Sequence, residues 1–201
     1  MAKIKALIIT GFGTNCETEM AYACRYAGAE STIAHLSDIL NGSVHISDYH
    51  FLNLPGGFLD GDDLGSAQVE SVRLKYARIS SSEKTIFQEI VDFFNRGMII
   101  LGVCNGFQAL VKTGLLPGEP FGKRRVSLMS NDSSKFEDRW VALKADPSSP
   151  CIFTKGIDQI YLPVRHGEGK FVCDSEQTLS EIQSSHLACL RYTDTAGNPT
   201  M

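Results

Sequence analysis

The stretch Met98-Ile99-Ile100-Leu101-Gly102-Val103-Cys104-Asn105-Gly106 decides the fold. Residues 98–103 are a fully apolar run, the pattern of a parallel strand buried on both faces. Residues 105–116 carry the apolar spacing of a helix. Between them stands Gly102-x-Cys104-x-Gly106 at a strand-to-helix junction. With serine at its centre this is the nucleophile elbow, a strained turn that lifts the central side chain above the sheet. Small flanking residues let strand and helix approach closely. Cys104 would sit at a helix N-terminus, whose partial positive charge favours an anionic sulfur, and the Asn105 N–H could donate to an oxyanion. A core cysteine between two packing glycines is the plainer reading. Position, flanks and length together favour a nucleophile.

The same alternation runs upstream. Residues 5–10 read as a strand that ends at Gly11-Phe12-Gly13. A helix should follow with Cys16, Met20, Ala23, Cys24 and Ala27 on its apolar face and Gly28 just past its end, which places Cys16 and Cys24 in the core. Residues 31–36 and 50–54 read as strands, the second breaking at Pro55-Gly56-Gly57. Ser80-x-x-Glu83 has the form of a capping box opening a helix with Ile86, Ile90, Phe93 and Phe94 inward and Gly97 closing it. Strands alternating with helices predict an α/β fold, three-layered around a mostly parallel sheet with right-handed crossovers. Ligands bind such sheets beyond the carboxyl ends of the strands. Gly11-Phe12-Gly13, Pro55-Gly56-Gly57 and Cys104 all fall at that edge. From about residue 121 short strands at 138–144, 160–165, 170–173 and 186–192 read as antiparallel additions around one edge of the sheet. The expectation is one domain over residues 1–201.

Composition narrows the function. The chain has 201 residues, 43% hydrophobic and 21% charged, with a formal charge of −4. An acidic balance gives no reason to expect nucleic acid or an anionic membrane, and no apolar run approaches the roughly 20 residues of a bilayer span. Six cysteines include no Cys-x-x-Cys pair, so neither zinc nor dithiol chemistry is indicated, and no metal site is expected. Without an export signal, reduced thiols and a cytoplasmic location are expected. Gly11-x-Gly13 lacks the third glycine of a dinucleotide loop. The stretch from Gly118 to Lys123 is one residue short of a phosphate loop, and Arg124 stands where Ser or Thr should be. No nucleotide or other cofactor is therefore assigned to this chain. Lys123-Arg124-Arg125 reads as a solvated turn or a docking contact.

Acyl-transfer chemistry needs a second oxyanion donor, which Pro55-Gly56-Gly57-Phe58 could supply from uncovered backbone amides. It also needs a base and a group to orient it. Of five histidines, His166-Gly167-Glu168 alone offers His-x-Glu, with Glu168 placed to orient His166.

Five motifs then occur in order: Gly13-Thr14-Asn15-Cys16-Glu17; Leu54-Pro55-Gly56-Gly57-Phe58 with Gly61-Asp62; Gly102-Val103-Cys104-Asn105-Gly106-Phe107-Gln108; Asn131 with Phe136 and Arg139-Trp140-Val141; and His166-Gly167-Glu168-Gly169. The set resembles the glutaminase components of phosphoribosylformylglycinamidine synthase, which are class I (triad) glutamine amidotransferases of purine biosynthesis. The resemblance implies a flavodoxin-like sheet. It implies that Cys104 attacks the side-chain amide of glutamine and that amides at Gly57 and Asn105 hold the oxyanion. Gly56, Phe58, Gln108, His166, Gly167 and Glu168 would contact glutamine, so His166 and Glu168 would bind substrate and would not be triad members. The ammonia would pass to a larger synthetase subunit, which would carry the ATP and magnesium and convert formylglycinamide ribonucleotide to the amidine. A small accessory subunit is compatible with this scheme.

In that family the triad His and Glu lie in a Pro-His-Pro-Glu stretch beyond the point reached by Asn198-Pro199-Thr200-Met201. The expectation is a chain lacking its C-terminal segment and, as it stands, severely impaired in turnover. Two other readings compete: an elbow-cysteine protein of peptidase-like or stress-protective type on a similar sheet, and a non-catalytic partner subunit.

Overall fold

The computed structural model describes residues 3–194, 196–198 and 200. Pro199 and Met201, on which the expectation of a missing C-terminal segment rests, lie outside the described residues. The chain divides into two compact units, Met1–Arg124 and Arg125–Met201.

The first unit is built on four parallel strands in the order β2-β1-β3-β4: β1 (Lys5–Thr10), β2 (Glu30–His35), β3 (Phe51–Leu54) and β4 (Ile99–Gly102). Strand alternation divides β1 between two cores. Ala6 and Ile8 pack with Ala21 and Cys24 of α1 (Glu17–Tyr26), whereas Leu7 and Ile9 join a larger cluster. That cluster takes in Leu36 and Ile39 of α2 (Leu36–Leu40), Leu74 of α3 (Gln68–Tyr76), Ile86, Ile90 and Phe93 of α4 (Ile86–Asn95), and Ala109 and Leu110 of α5 (Asn105–Thr113). Helices thus cover both faces of the sheet, as the three-layer expectation required. Each buried Leu, Ile or Phe contributes about 1.5–3 kcal/mol.

Several local expectations are corrected. Helix α4 opens at Thr85, whose side chain accepts from the Gln88 N–H while the Gln88 side chain accepts from the Thr85 N–H. The predicted Ser80 box fails because residues 80–84 form a turn, with the Ile79 N–H donating to the Lys84 carbonyl. Phe94 points outward, 50% exposed. Strand β4 is partly exposed because it is the last strand of its sheet among the described residues. On α1, Ala21 and Cys24 are buried while Ala23 and Ala27 are exposed. Cys16 precedes the helix as its N-cap and is exposed. The apolar spacing carried the predicted face one residue too far.

The second unit holds β5 (Val126–Ser130) paired antiparallel with β8 (Glu168–Cys173), and a three-stranded antiparallel sheet in the order β7-β6-β9: β6 (Glu137–Ala145), β7 (Gln159–His166) and β9 (Leu190–Thr193). It also contains α6 (Glu176–Ser184), capped by Ser175. The antiparallel strands exist as expected but form sheets of their own instead of extending the parallel one. The basic cluster is tied internally. Arg124 donates to the Lys112 carbonyl at 3.1 Å, and Arg125 pairs with Glu181.

Candidate active site

The elbow is present. Cys104 caps α5 with φ 55° and ψ −115°, a left-handed backbone that costs a non-glycine residue on the order of 1–3 kcal/mol. Crowding over-determines it. A Cβ on Gly102 would lie 2.6 Å from the Gly106 carbonyl oxygen, and one on Gly106 would lie 2.0 Å from the Leu54 carbonyl oxygen. Only glycines let β4, β3 and α5 meet this closely. The Gly106 N–H donates to the Val103 carbonyl at 3.0 Å and closes the turn. The result is an exposed Cys104 side chain at the start of a helix whose own residues are largely buried.

The Pro55-Gly56-Gly57 turn after β3 lies alongside. The Cβ position that Gly56 lacks is 3.2 Å from Cys104 Cβ and 3.7 Å from its Sγ. Gly57 has φ 127°, and a Cβ there would meet the Gly13 carbonyl oxygen at 2.6 Å. The turn is pinned to the Gly11-Phe12-Gly13 loop by the Phe58 N–H donating to the Gly13 carbonyl at 2.7 Å and by a bridge between Thr14 and Gly57. Among the described residues, neither the Gly57 N–H nor the Asn105 N–H donates to another group. Two uncommitted amides therefore lie on the turn and at the helix start next to Gly56 and Cys104, and an oxyanion hole needs two such donors.

Asn105 is 2% exposed, and its side chain is a brace. Its Nδ2 donates to both Asp62 oxygens and to Gln108 Oε1, each at 3.3 Å. Asp62 Oδ1 also accepts from the Ala67 N–H at 2.9 Å, where α3 begins. Asp60 pairs with Arg73 at 2.7 Å. Asp62 thus ties the starts of α3 and α5 together, a role its place beside Gly61 in the motif gave no means to foresee. Glu70, one turn into α3, is 2% exposed and its Oε2 has no partner. Burial first, then the Asp60 and Asp62 carboxylates, push its carboxyl up to about 8.

Cys16 is the other residue misread from sequence. Its N–H points to the Gly56 carbonyl at 3.4 Å, and its Sγ lies 3.6 Å from the Gly56 Cβ position. It belongs to the rim of the site and not to the core. Phe58 is 59% exposed on the same turn.

No hydrogen bond joins a histidine to Cys104 among the described residues. In the first unit, His35 caps α2 through the Ser37 N–H, and His50 Nδ1 accepts from the Lys5 N–H at 3.1 Å. In the second unit, His166 ends β7, Gly167 is the turn, and Glu168 starts β8. Asn131 orients His166. Asn131 Oδ1 meets His166 Nδ1 at 3.0 Å and accepts from the Gly169 N–H, while its Nδ2 donates to the His166 carbonyl at 2.8 Å. The ring lies so close over Gly169 that a Cβ there would sit 2.1 Å from it.

Comparison with known proteins agrees with this geometry. Residues 3–201 match the CobB/CobQ-like glutamine amidotransferase domain. A protein of Methanococcus maripaludis named phosphoribosylformylglycinamidine synthase subunit PurQ is 41% identical over 197 residues, covering 97% of this chain and 69% of the relative. The subunit of the same name from Dehalococcoides mccartyi is 41% identical over 199 residues, covering 98% and 72%. Among solved structures, a chain of PurLQS from Thermotoga maritima superposes with a TM-score of 0.69 at 27% identity, covering 96% of this chain and 76% of that one.

Proposed function

We infer the function from membership: this chain belongs to the CobB/CobQ-like glutamine amidotransferase family, whose match runs through both compact units. It is a glutaminase subunit of phosphoribosylformylglycinamidine synthase, supplying ammonia to a larger synthetase partner that makes formylglycinamidine ribonucleotide in purine biosynthesis. We read the two units as parts of one amidotransferase domain.

The observation that carries the mechanism is the exposed Cys104 at φ 55° beside the Gly56-Gly57 turn. Deprotonated Cys104 Sγ attacks the side-chain amide carbon of glutamine. The carbonyl oxygen takes up negative charge and is held by the N–H groups of Gly57 and Asn105. Such donors are each worth roughly 3–4 kcal/mol in related chemistry. The intermediate collapses by breaking the C–N bond, and the nitrogen leaves as ammonia with a proton from a general acid. Water then attacks the γ-glutamyl thioester, breaking the C–S bond, releasing glutamate and restoring the thiol. Gly56, Phe58 and Gln108 hold the substrate, and His166, Gly167 and Glu168 form a glutamine-contacting strand pair. Asp62 and Gln108 keep Asn105 in place while its amide works. None of these steps calls for a cofactor. We assign ATP and magnesium to the synthetase partner, and place both proteins in the cytoplasm.

The test is reconstitution with the synthetase partner. Cys104→Ala should abolish whatever glutamine-dependent amidine formation the parent chain supports and leave formation from added ammonium intact. Glutamine-dependent turnover within a few-fold of the parent protein would overturn the reading.

A further inference from the structure

Cys16 and Cys104 both approach Gly56. Their sulfurs lie 3.6 Å and 3.7 Å from the same point, the Cβ position that Gly56 leaves vacant. Both residues are exposed, so both are open to a small oxidant. Cys16 precedes α1, with its Sγ bonded to Asn15 Oδ1 at 3.0 Å, and packing does not lock it as it locks Cys24, which is buried against Asn53. A Cβ at position 56 would contact both sulfurs. Glycine leaves the way open.

We propose that Cys16 is the resolving partner of Cys104 and that a peroxide converts the pair to a reversible disulfide. The chemistry balances in two steps. Deprotonated Cys104 attacks one peroxide oxygen, the O–O bond breaks, and Cys104 becomes a sulfenic acid as hydroxide leaves. The Cys16 sulfur then attacks the Cys104 sulfur and displaces hydroxide, which takes up the Cys16 proton and leaves as water. Two thiols lose two electrons in total, and the peroxide is reduced by two. Partial burial, then Glu19, Cys104 and Glu17, push the Cys16 thiol up, which suits a residue that waits as a thiol while its neighbour reacts first. The link would keep Cys104 from the irreversible sulfinic and sulfonic acids. Its consequence for ammonia supply rests on the nucleophile reading above; the cross-link itself does not.

The experiment treats the full chain with a small excess of hydrogen peroxide and maps cysteine peptides after trypsin and a glutamate-specific protease. The second enzyme cuts at Glu17 and Glu19 and so separates Cys16 from Cys24. The expected product is a Cys16–Cys104 linked peptide that dithiothreitol dissolves. Cys16→Ser should remove the link and leave Cys104 as sulfinic acid under the same dose, while Cys24→Ser should change nothing. Before and after peroxide, Cys104 labelling by an electrophilic glutamine analogue should fall at least about tenfold and recover with reductant. Over-oxidised Cys104 beside free Cys16 in the parent chain, a link from Cys104 to any other cysteine, or no oxidation at either would overturn the proposal. If the link forms but the analogue never labels Cys104, the nucleophile reading fails and the disulfide stands.

Discussion

Gly106 and Leu54 touch backbone to backbone: a Cβ on the glycine would lie 2.0 Å from the leucine's carbonyl oxygen. Leu54 ends the strand that leads into the Pro55-Gly56-Gly57 turn, and Gly106 lies in the first turn of the helix that Cys104 caps, so one contact sets the spacing of both halves of the candidate site. Gly106→Ala must push α5 off β3. Gly97, by contrast, has φ 78° with open space around its Cβ position. Gly97→Ala should cost about 1 kcal/mol for backbone strain alone, whereas Gly106→Ala should cost roughly 3 kcal/mol or more. Urea unfolding of the two variants checks the order. Equal costs would mean that the elbow has slack.

Glu70 gives the folded protein a defined response to pH. Its ordinary carboxyl value of 4.5 is pushed up to about 8, by burial first and then by Asp60 and Asp62. Below pH 4.5 folded and unfolded chains both hold the proton, and the group's contribution is fully present. As pH rises the unfolded chain ionises first, so stability falls by about 1.4 kcal/mol per pH unit until the folded group ionises near pH 8. Glu70→Gln should therefore stabilise the protein by roughly 4 kcal/mol at pH 8, with the gain vanishing towards pH 4.5. Thermal melts across that range test it. A gain independent of pH would show that ionisation is not the cause.

The elbow was legible in sequence because steric necessity writes it directly: a strand, two obligatory glycines and the start of a helix occupy nine consecutive residues, 98–106. The capping of α3 was not, because Ala67 is left-handed and the N–H there is taken by Asp62, five residues upstream. Nor was the Asp62–Asn105 brace, whose ends lie 43 residues apart. Cys16 was misplaced by a periodicity that continues one residue past the true helix start. The second unit's sheets escaped notice because alternation reveals a strand but not its neighbour.

His166 separates two kinds of role. Its Nδ1 meets Asn131 Oδ1 at 3.0 Å, and the proposed function makes it a glutamine-binding residue rather than the base. In the enzyme reconstituted with its synthetase, His166→Ala should raise KM for glutamine about tenfold or more with kcat changed only a few-fold. Loss of kcat by about a thousandfold with unchanged KM would instead make His166 the base.

The most direct test of Cys104 is covalent capture. The chain is incubated with 6-diazo-5-oxo-L-norleucine, a glutamine analogue that alkylates an attacking nucleophile as dinitrogen leaves, and is then digested with trypsin. Residues 97–112 form one peptide with a single cysteine. The account predicts one adduct, on Cys104, suppressed by glutamine and absent from Cys104→Ala. An adduct on any other residue, or labelling of Cys104 that glutamine leaves unchanged, would contradict it.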